Sequence, residues 1–124
     1  MRPTQRTIKW LKDQDMTVDM VERWIPNPKH PGGGFRKDYL GIIDAIALSP
    51  EKGIIGVQSC GQDFAGHVSK IKLEKREEAL RWLQCGGRLV LIGWRKVKKV
   101  RGKKAMVWKP RIHWFGEEDF NLES

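Results

Sequence analysis

After Arg88 the chain runs Leu89-Val90-Leu91-Ile92-Gly93-Trp94 without one polar side chain, and this run follows a charged stretch that stops at Gly86-Gly87. A strand without polar alternation belongs in the middle of a sheet that is covered by other elements. Reaching such a strand in parallel register takes a crossover connection, usually helical. The preceding stretch, Phe64 to Gln84, carries Val68, Ile71, Ala79, Trp82 and Leu83 among many charges and ends on glycine. That pattern predicts a helix, broken once.

The elements on either side are read against this strand. Thr4 to Asp15 places Ile8 and Leu11 on one helical face, with Thr4 as N-cap and Arg6, Lys9 and Lys12 between them. Val18 to Ile25 alternates as a strand does. Pro26, Pro28, Pro31 and Gly32 to Gly34 predict a mobile surface loop. No Gly-Lys-Ser/Thr follows those glycines, which excludes a nucleotide P-loop. Tyr39 to Leu48 and Gly53 to Ser59, joined by Ser49-Pro50-Glu51-Lys52, form an antiparallel hairpin. Beyond Trp94, Lys96, Lys98 and Lys99 carry the strand into solvent, Arg101-Gly102-Lys103 turns it, and Met106 to Trp114 returns, made irregular by Pro110. The acidic tail, Glu117 to Ser124, is expected at the periphery. The expected class is α/β, a central mixed β-sheet flanked by helices in the order αβββαβ, followed by a basic C-terminal hairpin.

With 124 residues the chain forms one domain around one core. A net charge of +9 from 24 Lys and Arg against 15 Asp and Glu produces a field that draws polyanions. Two cysteines, Cys60 and Cys85, exclude a disulfide framework and a paired-cysteine zinc site. The N-terminus has no secretory pattern and no apolar run is long enough to span a bilayer, so a cytoplasmic protein without membrane contact is expected.

Asp44 lies in an apolar strand, where an ionised carboxylate needs a partner. Fourteen residues on, Gln58-Ser59-Cys60 closes the next strand. Oxygen-bearing side chains on neighbouring strand ends can hold a divalent cation, which activates water and neutralises phosphate charge. The segment Lys37-Asp38-Tyr39-Leu40-Gly41-Ile42-Ile43-Asp44-Ala45-Ile46-Ala47-Leu48, with Gly56-Val57-Gln58-Ser59-Cys60 and His67-Val68-Ser69-Lys70-Ile71, resembles the PD-(D/E)XK nuclease superfamily. Within it the likeness is to small archaeal and phage Holliday-junction resolvases and VRR-type nucleases, over Val18 to Trp94.

That resemblance implies a restriction-endonuclease-like core and an endonuclease that uses Mg2+ or Mn2+ on DNA, branched DNA included. It implies a homodimer, because resolving a junction takes two symmetric nicks, and a prokaryotic or phage-infected host cell. Asp44 would be the motif aspartate and a metal ligand. Gln58 stands where the motif has an acidic residue, and Cys60 where it has lysine. Gln58 offers a carbonyl oxygen without charge, so Asp38 or Glu22 is expected to complete the ligand set. Six residues separate Asp38 from Asp44, which places them on one face of a regular strand. For the missing lysine the candidates are Lys70, one turn after His67, and Lys37 beside Asp38; His67 is an alternative acid or base.

Arg95 to Lys104 contains seven basic residues in ten, namely Arg95, Lys96, Lys98, Lys99, Arg101, Lys103 and Lys104, and no acidic one. Such an arm suits phosphate contacts, which give affinity without sequence information. Arg36 and His67 are expected to add to the nucleic-acid surface. Trp94, Trp108 and Trp114 interleave with the arm and are either core or base-stacking residues. Two alternatives use the same features: a catalytically inactive nucleic-acid-binding module of the same fold, and a basic RNA-binding or ribosome-associated protein without a metal site.

Overall fold

The computed structural model describes residues 1–120. It is an α/β structure with a mixed five-stranded sheet flanked by helices. Helix α1 spans Pro3–Lys12, followed by β1 (Thr17–Met20), β2 (Arg23–Pro26), β3 (Gly34–Lys37), β4 (Ala45–Ser49) and β5 (Gly53–Cys60). Then come α2 (Phe64–Leu73), α3 (Arg76–Gln84), β6 (Arg88–Lys98) and β7 (Met106–Phe115). The sheet order is β1-β4-β5-β6-β7, while β2 and β3 form a separate two-stranded ribbon. No helix among the described residues is long and apolar enough to cross a membrane.

The apolar run behaves as its composition requires. Strand β6 lies parallel to β5, with Val57 opposite Val90 and Cys60 opposite Gly93, and α2 and α3 make the crossover between them. Its side chains alternate between two cores. Val90, Ile92 and Trp94 join Ala45, Ala47, Ile55, Val57 and Leu11 under α1, whereas Leu89 and Leu91 join Ile71, Ala79 and Phe115 under α2 and α3. Gly86, at φ 93, ends α3, where its N–H donates to the Leu83 carbonyl; the positive φ is what favours glycine there. Pro110 is tolerated because β7 is an edge strand.

Several expectations need correction. The first helix begins at Pro3, with Arg2 at the cap and Thr4 inside the first turn, because proline presets the helical φ. Val18 to Ile25 is not one strand: the chain leaves the main sheet after Met20 and starts the ribbon at Arg23. Part of the breaker-rich segment is therefore ordered as the ribbon's connection and as β3, with Arg23 opposite Lys37 and Pro26 opposite Gly34. Tyr39 to Asp44 is a turn, and β4 starts only at Ala45. The acidic tail is not wholly peripheral, because Phe120 is 1% exposed and packs in the core under α2 and α3. Its carbonyl accepts from the Arg76 guanidinium, and Asp119 pairs with Lys72 at 3.3 Å. The remainder of that tail, 121–124, lies outside the described residues.

Candidate metal centre

Asp38 and Asp44 enter the site from the two ends of a tight turn. Tyr39 N–H donates to the Ile43 carbonyl at 2.9 Å, and Ile43 N–H donates back at 3.0 Å. This antiparallel bridge makes Asp38 and Asp44 the next opposing pair. Leu40 (φ 58) and Gly41 (φ 73) close the loop in the left-handed region, a conformation that costs a leucine about 1–2 kcal/mol. On a regular strand, residues six apart would stand ~20 Å from each other. The turn instead brings ligand atoms of Asp38, Asp44 and Glu22 within 4.8 Å of one another.

Backbone bonds fix the other members. The Asp44 carbonyl accepts from the N–H groups of Val21 (2.9 Å) and Glu22 (3.2 Å), so Glu22 is tied to Asp44 where the chain passes from β1 to β2. Asp44 N–H donates to the Val57 carbonyl at 2.8 Å, and its Oδ2 accepts from Ser59 N–H at 2.8 Å. Asp44 is thus bonded at three points to its neighbours while only 5% exposed.

Three carboxylates this close repel one another. Burial, then the hydrogen bond and charge of Asp38, push the Asp44 carboxyl up to about 8 against the opposing pull of Ser59 N–H. Burial and Asp38 also raise Glu22, partly offset by Arg2. Arg36 compensates in part through a 3.2 Å ion pair with Glu22. Oxygen-only donors carrying more negative charge than the site neutralises are the chemistry that a hard divalent cation fits.

The carboxylates open into a cleft of about 300 Å³ whose lining includes Gln58, Ser59, Arg36, His67, Lys70 and the α1 N-terminus from Arg2 to Thr4. Of the residues expected from sequence, Asp44, Asp38, Glu22, Gln58, Lys70, Arg36 and His67 all line this cleft. Lys37 does not: it lines a neighbouring groove of about 540 Å³ together with Arg23 and Lys75. His67 Nδ1 donates to the Asp63 carbonyl at 2.7 Å, which leaves Nε2 as the ring's other polar atom. Cys60, where the resemblance would place a lysine, is 4% exposed and packs in the core under α2 and α3. Burial pushes its thiol up to about 11, so it is no nucleophile at neutral pH.

Arg95 to Lys104 occupies the far half of the β6–β7 hairpin. Because β6 parallels β5 and continues past the Cys60–Gly93 pair, this arm leaves the sheet at the end that carries Gln58 and Ser59. The tryptophans divide. Trp94 is core, 5% exposed, and its indole N–H donates to Thr7 Oγ1 at 2.8 Å, so it cannot stack on a base. Trp108 is covered by Arg6 at 4.4 Å, and Trp114 has Lys52 and Arg88 each at 5.2 Å.

Comparison with protein families, curated proteins and solved structures finds no match to this chain. Sequence reasoning missed two contributors to the site. The backbone N–H of Ser59 has no side-chain signature. The α1 N-terminus reaches the cleft through a bond between residues 52 apart in sequence, Ser59 Oγ donating to Thr7 Oγ1 at 2.8 Å.

Proposed function

We propose that this protein is a metal-dependent endonuclease that cleaves DNA phosphodiesters, branched DNA included, on a restriction-endonuclease-like core. The observation that carries the reading is the convergence of Glu22, Asp38 and Asp44 within 4.8 Å beside Gln58 and Lys70 in one open cleft. The carboxylates sit at the start of β4 and beside the end of β5 in a mixed sheet, which supports the superfamily resemblance of the Asp44 and Gln58 segments.

Asp44, Asp38 and Glu22 would hold Mg2+ or Mn2+, with Gln58 as a neutral oxygen donor. Such a cation supplies Lewis acidity, polarising a phosphoryl oxygen and acidifying water. The chain's own residues do the rest. Lys70 brings a positive charge into the cleft, in the role of the lysine that Cys60 does not provide. His67 Nε2 is available to exchange a proton with the attacking water or the leaving oxygen. Arg36, held at the cleft by Glu22, and the basic arm from Arg95 to Lys104 bind flanking phosphates. Two nicks across a junction would use a homodimer.

The test incubates the protein with four-way junctions, flaps and plain duplex in Mg2+ or Mn2+, beside Asp44→Ala. Metal-dependent cleavage lost in the variant supports the reading. Binding without any cleavage by wild type turns it into the non-catalytic module, and preference for RNA in competition with junction DNA turns it into an RNA-binding protein.

A further inference from the structure

The ribbon formed by β2 and β3 continues the metal-centre carboxylates outward. Its register pairs Arg23 with Lys37 and Trp24 with Arg36, so the next pair inward is Glu22 with Asp38. Opposed residues share a face, and faces alternate along a strand. Glu22, Asp38, Trp24 and Arg36 therefore lie on one face of the ribbon, with Trp24 two residues, about 7 Å, beyond Glu22.

Trp24 is 53% exposed. A Cβ on Gly34 would come within 2.6 Å of its ring, so the indole packs against the bare backbone of the opposite strand. Among the described residues no aromatic ring or cation packs on it, in contrast to Trp108 and Trp114. The segment Arg23 to Lys37 also carries Lys29 and Arg36 and no acidic residue. A seated, half-covered indole beside a guanidinium, in a segment of one charge sign, matches how single strands are held: the base stacks and the cation takes its phosphate.

We infer that Trp24 is the stacking platform for an unpaired nucleotide adjoining the scissile phosphate, with Arg36 on that nucleotide's phosphate, and that this contact selects DNA with an unpaired base beside the cut. The inference rests on the nuclease reading for the position of the cut, and on the ribbon alone for the binding preference. A base inside an intact duplex presents no free face, whereas a flap or gap does.

The experiment measures binding by fluorescence anisotropy, in calcium and in EDTA. The probes are an intact DNA duplex and the same duplex with a flap whose first unpaired position is 2-aminopurine. Wild type is expected to favour the flap and to quench the 2-aminopurine. Trp24→Ala should lose roughly tenfold or more of flap affinity and the quenching, leaving duplex affinity unchanged, in line with the weakening that follows removal of a stacking aromatic. Trp24→Phe should retain most of both. Equal binding of flap and duplex by wild type, or undiminished flap affinity and quenching in Trp24→Ala, overturns the inference. A protein that shows this preference yet never cuts leaves Trp24 as the stacking platform and removes the nuclease reading, and with it the position of the cut.

Discussion

Asp38 and Asp44 oppose each other across a turn whose neck is the Tyr39–Ile43 bridge, with ligand atoms within 4.8 Å. The turn supplies two carboxylates from one short segment, and the Asp44 backbone then draws in Glu22. The consequence is a concentration of negative charge whose protonation is linked to folding.

The Asp44 carboxyl titrates at about 8 in the folded chain against its ordinary 3.8. Between those values the folded protein holds a proton that the unfolded chain has released, so stability falls as pH rises through this window and levels off above it. In EDTA, the melting temperature should fall from about pH 4 to about pH 8, the window between the ordinary and the folded value of Asp44. Asp44→Asn should flatten that slope and melt higher than wild type at the alkaline end. Saturating Mn2+ should flatten it in wild type, since a cation stabilises the ionised form. Melting curves across pH, with and without metal, check all three.

Cleavage should depend on Lys70 and not on Lys37, because only Lys70 lines the cleft. Lys70→Ala is expected to slow junction or flap cleavage by about 100-fold, the lower range for loss of an acid, base or charge that assists proton transfer. Lys37→Ala should stay within a few-fold. Single-turnover rates in Mg2+ distinguish the two.

The basic arm should govern affinity through phosphate charge. Neutralising Lys98, Lys99, Lys103 and Lys104 together should weaken binding to all DNA sequences alike. The slope of log affinity against log salt should become shallower by about 0.9 for each duplex phosphate that the arm no longer neutralises. An arm that serves solubility only would leave the slope unchanged; titrations at several salt concentrations decide.

Thr7 joins α1 to the sheet, accepting at Oγ1 from both the Trp94 indole and the Ser59 hydroxyl at 2.8 Å while 1% exposed. Thr7→Val keeps the shape and strands the buried indole N–H, which should cost about 1–3 kcal/mol. Chemical denaturation should show that loss, together with weaker cleavage, since the same helix presents Arg2 to Thr4 to the cleft.

What could be read from sequence follows local rules. The unbroken Leu89–Trp94 run, the crossover helix ending at Gly86 and the hairpin around Ser49 to Lys52 are dictated by burial, by glycine's freedom at positive φ and by turn chemistry, all properties of near neighbours. Asp44 stands out because a carboxylate in an apolar segment needs a reason, and Asp38 because it is close in sequence. How Asp38 reaches Asp44 escapes a reading by periodicity, which describes a regular strand and gives no warning of a turn that holds a leucine at φ 58. The ribbon is hidden by its prolines and glycines, whose breaker signal conceals a short antiparallel pairing. Nothing local marks Ser59 N–H as a partner of Asp44 or places Lys70 and the α1 N-terminus at one cleft. Residue order alone was enough for the α/β class, a mixed sheet flanked by helices, and for the helical crossover into β6, since apolar runs, breakers and helix stops are read from neighbours along the chain. Which carboxylates meet is settled only in the folded molecule, because a left-handed turn at Leu40 and Gly41 departs from strand periodicity and Glu22 joins through a backbone bond to Asp44. Which tryptophan stays uncovered depends on contacts between segments far apart in the chain, such as Arg6 over Trp108.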